Sequence, residues 1–228
     1  MYINKLLFII PSLYFFKTRF VTNLNFFLQY LLEIGFALFI FFFFNSLSFE
    51  IVILFFYHYL AFISLYEIGY FVNDTIAVKY ENKPNKRLKK FNSKLYLLFF
   101  VLIRLVFFVF ITLHLEYENN NLWLIFYLFL LIVFSLQNFL NKTYYRCITF
   151  QMLAFLRFMA PFFIILDYYY LFLIGNLVAL TYVPYRTLGY IKSKKLAYEK
   201  IKRDLNSKLL AFIVPILFFL LIIIFQKV

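Results

Sequence analysis

Long apolar runs separated by short polar interruptions organise this chain. Seven of them reach the length of about 20 residues that a helix needs to cross hydrocarbon: Phe26–Phe44, Ile51–Val72, Leu95–His114, Leu122–Leu140, Cys147–Leu166, Tyr169–Leu188 and Leu209–Phe225. Barrel strands span with about ten residues, so runs of this length predict an all-α, polytopic transmembrane helical bundle. A further run, Leu6–Phe16, is too short to cross and contains Pro11. With Lys5 before it and Lys17 and Arg19 after, it is expected to be a helix lying in the membrane interface. A signal peptide is the rival reading, opposed by the aromatic residues and Lys17 where small residues and a cleavage site would stand. No internal repeat and no internal boundary is visible, so residues 1–228 read as a single integral membrane domain.

The loops between the runs set the topology. Lys17 and Arg19 precede the first run, and Asn45–Glu50 after it has no basic residue. Seven Lys and Arg between Lys79 and Lys94 follow the second run; only the acids Glu116 and Glu118 follow the third. Lys142 and Arg146 follow the fourth, Asp167 the fifth, and a basic stretch from Lys192 to Arg203 the sixth. Basic loops collect on the cytoplasmic side, so this alternation predicts a cytoplasmic N-terminus and an external C-terminus. Lys227 is the exception, and a lysine at a helix end can snorkel. The stretch Lys192–Asn206 reads as a short surface helix or as a solvated connector facing anionic lipid, the second being preferred.

Composition agrees with a bilayer as partner. Hydrophobic residues make up 65% of the chain and charged ones 14%, against roughly half and a quarter in soluble domains. The 37 Phe and 20 Tyr, with many Asn, Lys and Ile, fit a codon bias rather than an aromatic cofactor box. The net charge of +13 is explained by the cytoplasmic loops; nucleic acid is not an expected partner, because no polar domain exists to carry it. Cys147 is the single cysteine, which excludes an intrachain disulfide.

Candidate chemistry concentrates in Tyr66–Arg87, where the second run ends. Tyr66, Glu67, Tyr70, Asn73 and Asp74 recur at helical spacing. Asn73, Asp74 and Glu81 offer oxygen ligands suited to Mg²⁺, with Asp74 and Glu81 as the metal-binding carboxylates. Lys79, Lys83, Lys86 and Arg87 follow and suit a phosphate-bearing anion. Ionisable groups at the mouth of a transmembrane helix are a functional-site hypothesis by default. Their alternative is capping of the span by Asn73 and Asp74, pairing of Glu81 with Lys83 or Lys86, and an ordinary basic loop. Within the runs, Glu33, His58, Glu67, Arg104 and Arg157 each cost a few kcal/mol at mid-membrane and need a partner or a wet cavity. Arg157 is a candidate phosphate ligand or the ion-pair partner of Glu33 or Glu67, Arg104 is similar, Glu67 could orient the site or pair with an arginine, and His58 reads as a hydrogen-bonded packing residue. Pro161, Pro184 and Pro215 are kink candidates.

The sequence YEIGYFVND, with Glu81, Pro84 and Arg87 downstream, resembles the first aspartate-rich motif of UbiA-type prenyltransferases, closest to the branch that makes decaprenyl-phosphoryl ribose. In that motif, N-D-x-x-D-x-x-x-D, Asn73 and Asp74 match the first two positions, Ala77 stands at the second Asp and Glu81 at the third. QNFLNKTYYR, with Lys142, and Arg157 are similar to the family's polar helix end, loop lysine and in-membrane arginine. The resemblance covers Lys17 to Arg186. It departs in having seven runs rather than nine helices, and only Glu199 and Asp204 where a second aspartate-rich motif belongs. It implies a membrane-embedded transferase, in a bacterial inner membrane, acting on an isoprenoid lipid phosphate or diphosphate by prenyl, phosphoribosyl or sugar-phosphate transfer. Asp74, Asn73 and Glu81 would be catalytic, with Lys83, Arg87, Arg157, Lys142 and Tyr70 binding substrate and Mg²⁺ assisting. The alternative is a non-catalytic relic of the family, or a small transporter, that binds or moves a lipid carrier.

Overall fold

A computed structural model describes residues 9–19, 34–44, 48–79, 94–140 and 142–193. The described residues are helical, with no strand among them. The chain forms two compact units, Met1–Asn141 and Lys142–Val228.

The first unit is built on one long helix. Its helices are α1 (Leu13–Arg19), α2 (Phe36–Phe44), α3 (Phe49–Thr75), α4 (Lys94–His114) and α5 (Asn121–Phe139), with a 3₁₀ turn at Ala77–Lys79. The 27 residues of α3 give it a length of about 40 Å, enough to pass through hydrocarbon and emerge with its last turn. Ser48 caps its start by accepting from the Ile51 amide at 3.3 Å. Its end falls on Asn73, Asp74 and Thr75, residues whose side chains compete with helical backbone bonding. The Thr75 hydroxyl indeed donates to the Phe71 carbonyl at 2.7 Å.

Both α4 and α5 pack on α3. Gly69 makes the α5 contact possible: a Cβ there would lie 2.2 Å from Cδ1 of Phe134. The Phe134 ring stands edge-on to Tyr66, 4.6 Å between centroids, and Asn138 Nδ2 donates to the Gly69 carbonyl at 3.1 Å. On the α4 side, Phe71 and Phe100 stack at 4.3 Å. At the opposite end of α3, His58 is fully buried against Tyr117 and Trp123, which shows the packing part of its expected hydrogen-bonded packing role. There Asn120 caps α5 through the Trp123 amide at 3.1 Å, and Trp123 Nε1 donates to Thr112 Oγ1 at 3.0 Å.

The second unit contains α6 (Thr143–Met159), α7 (Tyr168–Leu180) and α8 (Tyr182–Ser193). Phe150 stacks on Tyr190 at 4.5 Å, joining α6 to α8. Prolines set both interruptions. α6 closes where the Ala160 amide bonds to Leu156, just before Pro161, which has no N–H to continue the ladder. Pro184 cannot donate to Leu180, and the chain breaks at Thr181 between α7 and α8.

Among the described residues four helices are long and apolar enough to cross a membrane: Phe49–Thr75, Leu95–His114, Asn121–Phe139 and Tyr168–Ile191, the last including the break at Thr181. The protein is therefore a helical membrane protein. The expected run Cys147–Leu166 differs: it is a 17-residue helix that starts earlier, at Thr143, and gives way to turns at Ala160. Only the final part of Phe26–Phe44 lies in the described residues, as α2; Glu33, Pro215 and Leu209–Phe225 lie outside them.

The N-terminal run packs on the spans of the first unit. Its described part runs from Ile9 and contains α1 from Leu13, and Tyr14 and Phe15 are buried against the spans. The Tyr14 ring lies 5.3 Å from both Phe71 and Phe100. Buried charges on α3 and α4 draw the segment inward.

Candidate functional site

Among the described residues, Glu67 and Arg104 are the most deeply buried charged groups of the first unit. Arg104 Nε donates to Glu67 Oε2 at 2.7 Å, with both side chains fully buried. Neither could stay charged in hydrocarbon alone, and residues 9–15 complete their solvation. Arg104 Nη1 donates to the Ile9 carbonyl at 3.3 Å and Nη2 to that of Ile10 at 3.1 Å. The Phe15 amide donates to Glu67 Oε1 at 2.7 Å. The guanidinium also lies 4.4 Å from the centroid of the Phe100 ring. The anticipated need of Glu67 and Arg104 for partners is met mutually and by peptide groups.

Two turns further along α3, Asp74 gathers a second set. Its Oδ2 accepts from the Tyr14 hydroxyl at 2.7 Å and from Arg19 Nη1 at 2.9 Å. Its Oδ1 accepts from Arg19 Nη2 at 3.2 Å and from Asn73 Nδ2 at 3.3 Å. This is the two-bonded fork that a guanidinium makes with a carboxylate. The Arg19 guanidinium lies 4.0 Å from the centroid of the Tyr70 ring, and Phe15 stacks on the same ring at 5.6 Å. Burial lowers the Arg19 pKa, but Asp74 and the neighbouring tyrosines outweigh it and the net shift is upward. Arg19 is therefore a permanent cation.

Of the expected site residues, Tyr70, Asn73 and Asp74 come together here. Glu81, Lys83, Lys86 and Arg87 lie outside the described residues, as does the side chain of Lys79. Lys142 and Arg157 belong to the second unit. There Lys142 is exposed, 5.9 Å from the Tyr145 ring centroid, and Arg157 is buried in the last turn of α6. Sequence reasoning missed Tyr14 and Arg19. Its one usable signal was a hydroxyl and a cation flanking an apolar run too short to span.

Among the described residues no three His, Cys, Asp or Glu side chains stand close enough to hold a metal together. Asp74 instead has the donors of a carboxylate bound to a guanidinium. No protein-family model, curated protein or solved structure matches the chain.

Proposed function

We propose that this membrane protein binds a polyprenyl phosphate or diphosphate at the Asp74 end of α3 and transfers a group to or from it, in the manner of a UbiA-type enzyme. One observation carries the reading: a carboxylate, a guanidinium and two tyrosines meet at the polar end of a membrane-crossing helix, immediately before Lys79, Lys83, Lys86 and Arg87. The reaction joins a lipid to a water-soluble reactant, so its site must lie where a span leaves the bilayer. Arg19 supplies the planar fork that matches two phosphate oxygens. The basic loop would hold the remaining charge, facing the cytoplasm if the positive-inside alternation governs. Magnesium enters the proposal as the counter-ion of a diphosphate-bearing reactant, with Glu81 as the expected second carboxylate beside Asp74. The proposal retains seven spans and a bacterial inner membrane.

Lipid binding without transfer is the second reading. The engagement of Asp74 by Arg19 and Tyr14 favours it, because the expected catalytic carboxylate is already bonded.

The test is a titration of purified protein in nanodiscs with polyprenyl phosphate, in Mg²⁺ and in chelator, followed by addition of prenyl diphosphate, phosphoribosyl and nucleotide-sugar donors. Saturable binding is expected, weakened about tenfold or more in Arg19→Gln, as for loss of a charge-assisted contact. Turnover with a donor supports the transferase. Binding without turnover by any donor leaves the carrier reading alone, and absence of saturable binding defeats both.

A further inference from the structure

The polar attachments of residues 9–19 form one row along α3 and α4. The Ile9 and Ile10 carbonyls meet Arg104. The Ser12 and Phe15 backbone reaches Glu67. Tyr14 and Arg19 then hold Asp74.

Three features distinguish this segment from a permanent member of the bundle. α1 has seven residues, whereas isolated helices shorter than about 12–15 residues are marginal, so docking alone holds it. Ser12, at the entry to α1, adopts φ 78°, a left-handed conformation disfavoured for any residue with a Cβ. Its outer attachment is also the accessible one: the Arg19 side chain is 12% exposed against 1% for Asp74.

We infer that residues 9–19 are a strap that fills the polar groove between α3 and α4 with its own peptide groups, and that a lipid bearing a phosphate monoester opens it by taking Arg19 from Asp74. A phosphate monoester carries about −1.5 to −2 charges at neutral pH and accepts a guanidinium fork as a carboxylate does, so it competes directly for Arg19. With Arg19 drawn away, Asp74 keeps the Tyr14 hydroxyl, and the polar bonds left at Glu67 and Arg104 run to peptide groups of the segment. Release of the strap turns Arg104 Nη1 and Nη2 towards the groove, still oriented through Nε by Glu67. The Ile9 and Ile10 carbonyls thus stand where two phosphate oxygens would bind. This rests on the phosphate-lipid reading above for the identity of the opening ligand; the groove and its occupant do not.

Hydrogen exchange by mass spectrometry on the full-length protein in nanodiscs tests it, with the α5 peptide over Asn121–Phe139 as the internal standard of folding. In phosphatidylcholine alone, the amides of Leu13–Arg19 are expected to be protected. Tyr14→Phe keeps the ring between Phe71 and Phe100 but loses the hydroxyl on Asp74, and Arg19→Gln loses the fork. Each should speed exchange over Leu13–Arg19 by about tenfold with α5 unchanged, as expected for local opening. If either variant also loses α5 protection, Arg19→Lys, which retains the charge but not the fork, serves in its place with the same expected direction. Phosphatidic acid and polyprenyl phosphate are then added separately to the wild type. Faster strap exchange with both supports the strap and its headgroup chemistry. Opening by polyprenyl phosphate alone supports the strap together with the isoprenoid reading; opening by phosphatidic acid alone keeps the strap and removes that reading. Opening by neither lipid, or unchanged exchange in the folded variants, overturns the inference.

Discussion

Removing one member of the buried Glu67–Arg104 pair should destabilise the protein far more than removing both. Arg104→Met deletes the 2.7 Å ion pair and both bonds to the Ile9 and Ile10 carbonyls. It leaves Glu67 with the Phe15 amide and the Ser12 backbone, at a position with no solvent exposure. Glu67→Gln keeps an acceptor for Phe15 but leaves Arg104 without its counter-charge. Breaking a buried pair by removing one partner typically costs about 3–5 kcal/mol, because the survivor is an uncompensated charge. The double variant has no buried charge to neutralise, and replacing buried pairs by uncharged groups is often near neutral. It should therefore be more stable than either single variant, so the coupling free energy in a double-mutant cycle should exceed either single effect, at about 3 kcal/mol or more. Equilibrium unfolding in mixed micelles, repeated by steric trapping in bicelles, measures each corner of the cycle. Single effects that add to within about 0.5 kcal/mol would show the two residues to be energetically independent and refute the reasoning.

Gly69→Ala should destabilise the α3–α5 contact by about 1–3 kcal/mol, as overpacking does, and Phe134→Leu should recover part of the loss in the same unfolding assay. Thr112→Val leaves the buried Trp123 Nε1–H without its hydroxyl acceptor, at a cost of about 1–3 kcal/mol; Trp123 is the single tryptophan of the chain, so its emission should shift in the folded variant, and an unchanged spectrum would deny the bond. Asn120→Ala removes the α5 cap and should cost about 1 kcal/mol, read by faster amide exchange in the first turn of α5 alone. Cysteines placed at Asn120 and Lys89, in a Cys147→Ser background, should react with an impermeant reagent from opposite sides of the membrane, and labelling from one side would end the alternating-loop topology.

The spans that were easiest to read are those whose limits are set locally. Leu95–His114 and Leu122–Leu140 match α4 and α5 to within a residue or two, because charged or amide residues stand at their ends. Ile51–Val72 was too short at both ends, since Asn73, Asp74 and Thr75 are polar yet still helical in the final turn. Cys147–Leu166 was misplaced because apolarity continues past Met159 while helical bonding does not, and Pro161 was the available warning. At the site, the sequence showed that Glu67 and Arg104 needed partners, but not that they needed each other. That pairing depends on which faces of α3 and α4 meet, a tertiary fact that one helical period cannot encode. The inward docking of Tyr14 and Phe15 was less legible still: an amphipathic run ending in Lys17 and Arg19 looks the same whether its partner is a headgroup layer or a buried carboxylate.

The Glu67–Arg104 bond has a consequence for how the chain enters its membrane. The two residues are 37 positions apart, so at about 5–20 residues per second the ribosome takes about 2–7 s to make the second after the first. A lone charge at the centre of an inserting helix is opposed by about 2.5–3.5 kcal/mol on insertion scales. α3 released sideways into lipid before α4 exists would meet part of that opposition, since Glu67 lies two turns from its polar end. Passage of the two as one hairpin, with acid already facing arginine, avoids it. Residues 9–19, made before either helix, can reach Glu67 and Arg104 only after both helices are in place.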